Sequence, residues 1–510
     1  MRPCGSFFSA TKSVGLNFNM KTPSFILDEI LARFSGLKRK VPAAPPPEML
    51  GPNDGRTPLI LFGEGEALTL NQAFEGIQIF GGTGSGKTSG SGAALARSFL
   101  LQGFGGLILT AKPDERELWE SYCAETGREL TVFGPESGCF FNFLEYEYSR
   151  GGVGAGLTSN VAELFAAIAE TNQGKGNTME AYWMNALKQL LRRAIDAVAM
   201  AKGSLSLPML LDLIMSAPQS LEEAHSETWK TGSFCAECLR EAEEKKTETN
   251  AADLEHTKRY WMREFPALGD RTRSSIVSMF TVIADGFLTG PIRELFCTRL
   301  NIVPDETHVG RIILIDLPVE VYNEVGVCAQ MVWKHCWQRA TARREPGKDG
   351  GIPTFLWIDE SQFFCASGDL KFQATARSKR AATVFLTQNI PTYFDKAGQD
   401  RTNALLGNLQ TKIFHANGCH ATNTFAADTI ARGVINRSST NISSQGMSFG
   451  TSEAVDYTVP PAEFQRLRKG GPENNGIVDA YIFQAGRIWP STGESYLKAS
   501  FKQPQRKENS

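Results

Sequence analysis

The 510-residue sequence predicts an α/β fold, a mainly parallel sheet interrupted by a separate all-α segment, and three observations carry that expectation. Apolar runs of strand length alternate with helical periodicity at both ends of the chain. A glycine-rich turn joins the first of these strands to the first helix. From about 143 to 305 the apolar period is helical throughout, and strands return only after 310. That order fits an all-α insertion into one sheet better than three consecutive domains.

Residues 1–50 hold a short amphipathic segment at 24–34, the basic run Lys38-Arg39-Lys40 and a Pro-rich linker at 42–47, and Met20 is a second candidate start. Polyproline is a stiff spacer, which puts a boundary near 50. Over 51–155, the first part of the α/β domain, a strand at 76–80, a helix at 88–101 and a strand at 106–109 form a βαβ unit. The all-α insertion occupies 156–305. Within it Tyr182, Trp183, Ala186, Leu187, Leu190, Leu191, Ala194, Ile195 and Val198 recur at helical spacing as one apolar stripe. Segments 207–215 and 274–288 read as further buried helices, and 220–263, dense in Glu and Lys, as solvated ones. Over 306–500 the α/β domain resumes with strands at 311–316, 354–358, 383–386 and 412–415. The Ser/Thr/Asn/Gly-rich stretch 437–452 predicts a mobile loop, and 501–510 a disordered tail.

With 53 Lys+Arg against 55 Asp+Glu and 42% hydrophobic residues, the composition excludes a disordered chain and a polycation. It leaves room for a nucleic-acid motor whose basic groups are confined to a channel. Ten cysteines scattered along so long a chain point to a reducing compartment. Cys235 and Cys238, with His225 and His256 nearby, have the spacing of a zinc site, while free cysteines on a helix is the simpler reading. No apolar window is long enough to span a bilayer, so the expected location is the cytoplasm.

Gly81-Gly82-Thr83-Gly84-Ser85-Gly86-Lys87-Thr88 matches G-x-x-x-x-G-K-[ST] in full, between a predicted strand and a predicted helix. Glycines let successive N–H groups turn inward around phosphates, Lys87 reaches the β/γ oxygens and Thr88 offers a hydroxyl to a metal. The implied ligands are ATP and Mg2+. Such a loop needs a carboxylate on a neighbouring strand, and Phe355-Leu-Trp-Ile-Asp359-Glu360 supplies two. Asp359 would hold Mg2+ through water, and Glu360 would orient or deprotonate the attacking water. Gln388, just after the strand 383–386, is placed as a γ-phosphate sensor between the P-loop strand and the strand of Asp359 and Glu360, or as a turn residue. Arg377, with Lys379 and Arg380, lies on a short helix whose simplest reading is a solvated basic end.

Together these motifs resemble the coupling proteins of type IV secretion and conjugation, the TraG/TraD class, within the FtsK/HerA group of RecA-like P-loop ATPases. The likeness spans most of 60–500. The segment 83–90 looks like their Walker A, and Phe141-Asn142-Phe-Leu144 resembles their F-N-P-L element. The helical insertion stands in the place of their all-α domain. Ile358-Asp-Glu360 is similar to their Walker B, Leu386-Thr-Gln388 to their sensor strand, and 406–412 and 459–464 to C-terminal stretches of the class. Arg377 stands where those proteins carry an arginine finger that acts on the neighbouring subunit. Thr110-Ala-Lys112-Pro-Asp114 departs from their D-P-K-G-[DE] by lacking the first acidic residue, and their N-terminal transmembrane hairpin has no counterpart here.

The resemblance implies a homo-hexameric, Mg-ATP-driven DNA translocase that hands DNA or a relaxase-bound DNA to a type IV secretion channel, recruited to the inner membrane through a membrane-anchored partner. Two other functions fit the same motifs: a soluble HerA/FtsK-like DNA motor in repair, packaging or defence, and a receptor for secreted effector proteins.

Overall fold

The structure, a computed structural model, describes residues 54–151, 158–172, 178–346, 351–443 and 446–503. The amphipathic segment 24–34, the Pro-rich linker and the tail beyond 503 lie outside them. The described residues form thirteen strands in chain order: β1 (Pro58–Gly63), β2 (Glu66–Thr69), β3 (Ile77–Phe80), β4 (Gly105–Leu109), β5 (Leu130–Phe133), β6 (Ile312–Ile315), β7 (Thr354–Ile358), β8 (Ala381–Thr387), β9 (Thr411–Phe414), β10 (Arg432–Ser443), β11 (Gly446–Tyr457), β12 (Ile477–Gln484) and β13 (Tyr496–Lys502).

Nine of them form one sheet in the order β13-β12-β9-β3-β8-β7-β4-β6-β5. Every pairing from β9 to β5 is parallel, and β12 and β13 extend the edge antiparallel. All residues of β3, β4, β6, β7, β8 and β9 are buried. Both faces are covered, which is why these strands read as unbroken apolar runs instead of alternating ones. Alternate side chains serve two cores: Leu107, Leu109, Leu356 and Ile358 join the core of the inserted helices, while Ile108, Phe355 and Trp357 pack with helix Ala93–Leu101 and its neighbour Asp114–Thr126. The architecture is a P-loop NTPase fold.

Between β5 and β6 the described residues form helices and no strand. The longest, Thr178–Lys202, buries Leu187, Leu190, Leu191, Ala194, Ile195 and Val198, as its stripe predicts; Tyr182 departs from it, at 56% exposure. Cys235 and Cys238 are buried in this core on helix Phe234–Glu244, and burial pushes the Cys238 thiol up to about 12. His225 is exposed and bonds the Leu221 carbonyl instead of approaching them. Among the described residues no group of three or more His, Cys, Asp and Glu could hold a metal ion, and no single helix is long and apolar enough to cross a membrane.

Two sequence expectations fail at the C-terminal end. The stretch expected to be a mobile loop is a long antiparallel hairpin, β10 and β11, paired from Arg432↔Tyr457 to Ser443↔Gly446. Polar Ser, Thr and Asn hide a strand period because neither face of this two-stranded ribbon joins the main sheet. The tail also starts later than expected, since Phe501 and Lys502 belong to β13.

Candidate active site

Three strand ends build the site. The parallel order β3-β8-β7 brings together the residues that follow Phe80, Thr387 and Ile358 at one edge of the sheet, where crossovers open a crevice. The P-loop leaves β3, Asp359 and Glu360 leave β7, and Gln388 leaves β8 between them.

The loop geometry follows from its glycines. Gly84 and Gly86 have φ of +69° and +84°, and a Cβ on Gly86 would meet Val478 Cγ2 at 2.6 Å. A side chain there would be both strained and obstructed. The predicted helix at 88–101 begins with a wide turn over Thr88–Gly92, in which the Gly92 N–H donates to the Lys87 carbonyl at 3.0 Å. Regular α-helix starts at Ala93.

Lys87 is buried, its Nζ 3.4 Å from Glu360 Oε1 and 3.7 Å from Asp359 Oδ1. The Thr88 hydroxyl donates to Asp359 Oδ2 at 2.9 Å. Glu360 takes a left-handed backbone, φ 47° and ψ 49°, a conformation costing about 1–3 kcal/mol in a residue with a side chain. Four side chains hold its carboxylate: Lys87, Lys112 Nζ at 3.4 Å, Gln388 Nε2 at 3.0 Å and Gln362 Nε2 at 3.0 Å. Burial works against its charge, yet the Lys87 ammonium, the Gln388 and Gln362 hydrogen bonds and the Lys112 charge together keep it below the usual carboxylate range. Gln388 Oε1 in turn accepts from the Thr83 hydroxyl at 3.1 Å, so the strand between P-loop and carboxylates touches both.

Oxygen donors already in contact, the Thr88 hydroxyl and the Asp359 carboxylate, suit a hard divalent cation such as Mg2+. Inside the loop Ser85 Oγ is buried and without a hydrogen-bond partner among the described residues. The Ala111 to Asp114 turn after β4 brings Lys112 to the carboxylates although the motif's first acidic residue is replaced by Thr110, whose hydroxyl is buried on the Ile315 carbonyl.

Arg377 lies elsewhere. It precedes β8, whereas Gln388 follows it, so the two sit at opposite edges of the sheet. Its side chain is 64% exposed and pairs with Glu75 at 2.9 Å. Among the described residues, nothing in this chain's own pocket is paired with it.

Sequence reasoning missed several supports. Gln362 holds Glu360 and accepts from the Thr387 hydroxyl at 2.7 Å, and its place two residues beyond Glu360 was the available signal. Asn417 Nδ2 donates to the Gln388 carbonyl at 2.7 Å, and His415 Nε2 lies 2.7 Å from Ser91 Oγ; nothing local in the sequence marks either.

No family model and no curated protein sequence matches this chain. Solved structures do match in fold. The unbound monoclinic form of the bacterial conjugative coupling protein TrwBdeltaN70 is similar at a TM-score of 0.58 and 14% identity, covering 90% of this chain and 90% of that one. The plasmid coupling protein TrwB with the ATP analogue ADPNP gives a TM-score of 0.58 at 14% identity over 90% and 91% of the two chains. The complex of TrwB with ADP and Mg2+ gives 0.56 at 15% over 86% and 87%.

Proposed function

We propose that this chain is a Mg-ATP-dependent motor that moves DNA, of the conjugative coupling kind, passing DNA or a relaxase-bound strand to a type IV secretion channel as a homo-hexamer. One observation carries the hydrolytic part: a buried glutamate at the end of β7, turned by a left-handed backbone toward the P-loop lysine and the β8 glutamine. In support of the DNA-pumping part stand the fold's likeness to TrwB over nearly the whole of both chains and an exposed arginine at the far sheet edge.

In this reading the P-loop N–H groups and Lys87 bind the β and γ phosphates, and Thr88 and Asp359 hold Mg2+, which when bound neutralises phosphate charge. Lys87 exchanges its carboxylate partners for phosphate, which frees Glu360 to orient or deprotonate the attacking water while Gln388 senses the γ-phosphate. Arg377 serves the pocket of an adjacent subunit. Catalysis here is positioning and charge neutralisation more than covalent chemistry.

ATP turnover measured with and without single- and double-stranded DNA, alongside particle mass by light scattering, tests the proposal. DNA should raise turnover, with the stimulation fading as salt rises because phosphate contacts dominate such binding. Turnover indifferent to both forms of DNA would refute the motor.

A further inference from the structure

The antiparallel edge of the sheet closes over the P-loop with a cation that the site as described does not use. β12 runs past the loop so closely that only hydrogens fit between them: a Cβ on Gly86 would stand 2.6 Å from Val478 Cγ2, and one on Gly90 3.1 Å from Val478 Cγ1. Val478 therefore projects onto the P-loop face. Lys469 is its partner in an isolated antiparallel bridge, and its carbonyl is 3.2 Å from the same Gly86 position. Residues directly opposite in an antiparallel pair send their side chains to one face. Lys469 thus leaves the backbone on the side of the P-loop, and it is exposed.

Its neighbours are otherwise engaged. Arg468, the preceding residue, pairs with Asp479, Nε to Oδ2 and Nη2 to Oδ1 both at 2.7 Å, and Nη2 also reaches Ser500 Oγ at 3.2 Å. Among the described residues Lys469 forms no ion pair, although Arg468 beside it shows that the segment can place a cation accurately. The backbone that carries it is anchored at both ends. Asp479 N donates to the Arg468 carbonyl at 3.0 Å, and the Gly471 N–H donates to Gln503 Oε1 at 2.9 Å. Gln503 Nε2 then donates to Ser89 Oγ at 2.6 Å, tying this segment to the residue after Thr88.

That position fixes the ligand atoms involved. In a P-loop the backbone N–H groups cradle the α and β phosphates while the lysine reaches β and γ, so the turn beyond Thr88 borders the α-phosphate and the nucleoside. We propose that Lys469 is a further cation of the nucleotide pocket, beside Lys87 and Lys112, meeting the α-phosphate of nucleoside di- and triphosphates alike. It rests on the P-loop reading above and adds to it a residue from the segment between β11 and β12, nearly 400 positions from the loop it completes.

The test is binding of Mg-ATP and Mg-ADP to the full chain by calorimetry, with Lys469→Ala, Lys469→Arg and, as a remote control, Lys230→Ala on the inserted helices. Lys469→Ala should weaken ATP and ADP by the same factor, about tenfold, the low end for a charge-assisted contact from an exposed side chain. KM for ATP should rise with kcat nearly unchanged, Lys469→Arg should retain most of the affinity, and the nucleotide-free melting temperature should not move. Equal nucleotide affinity in wild type and Lys469→Ala would overturn the proposal alone, and so would a loss confined to ATP, which would place the contact on the γ-phosphate. A wild-type chain that binds neither nucleotide would overturn the P-loop reading and this proposal with it.

Discussion

Removing the Lys87 ammonium should turn the resting site from a neutralised cluster into a repulsive one, and the size of the effect can be worked from three distances. Lys87 Nζ is 3.4 Å from Glu360 Oε1 and 3.7 Å from Asp359 Oδ1, all three side chains being buried. At such separations and an effective dielectric of about 20, each attraction is gross about 4–5 kcal/mol. Most of it offsets the cost of taking charges out of water, so a double-mutant cycle between Lys87 and Glu360 should give a coupling of about 1–3 kcal/mol. In Lys87→Ala only Lys112, 3.4 Å from Glu360 and partly exposed, remains beside the two carboxylates. Glu360→Gln then removes one of the facing charges, so the double variant should melt above Lys87→Ala in the nucleotide-free protein. The pH dependence has a definite sign. In the wild type the Glu360 carboxyl is held low, a contribution present above its unfolded value and lost as pH falls through the folded one. Without Lys87 burial dominates and the folded value rises, so the deficit of Lys87→Ala should shrink as pH falls through that raised value toward the unfolded one. Additive single-variant effects together with a deficit independent of pH would refute the reasoning.

Glu360→Gln should bind Mg-ATP with near wild-type affinity and lose turnover by about 10²–10⁴, checked by calorimetry beside a phosphate-release assay. Arg377→Ala should bind ATP but hydrolyse it about 10³-fold or more slowly, and mixing it with Lys87→Ala subunits should recover part of the rate, since some interfaces would pair an intact pocket with an intact arginine. No recovery in rings shown to exchange subunits would assign Arg377 a structural role through Glu75. Lys412, buried in β9 with its ammonium on the Leu409 carbonyl, is pushed down to about 8 by burial. A lysine lowered on folding opposes stability below its folded value, and the loss is relieved as pH rises from about 8 to about 10.5. Lys412→Met should therefore raise the melting temperature at neutral pH and flatten its rise across that window.

Local signals were sufficient for the parallel core and for the residues at its strand ends. Chemistry that needs consecutive residues is written consecutively, so Gly81 to Thr88 and Asp359-Glu360 announce themselves, and a strand buried on both faces needs an unbroken apolar run such as Phe355-Leu-Trp-Ile358. Periodicity also marked the long inserted helix, failing only at Tyr182 near its start. The same logic explains the failures. The hairpin β10–β11 stands outside the main sheet, with Val434, Met447, Phe449 and Val455 exposed, so burial imposes no alternation on it. By contrast β12, an almost wholly buried run, and β13, which alternates buried and exposed residues, carried a strand signal that the sequence reading passed over. The sequence already placed the strand ending in Gln388 between the P-loop and carboxylate strands, and the structure has that order, β3-β8-β7. Only the tertiary structure turned Glu360 inward, by a backbone angle that no composition encodes, and set Lys112, Gln362 and Asn417 around the pocket. It alone laid Lys469 and Gln503 against a loop formed some 400 residues earlier, since contacts of that separation arise from sheet topology and leave no trace in local sequence.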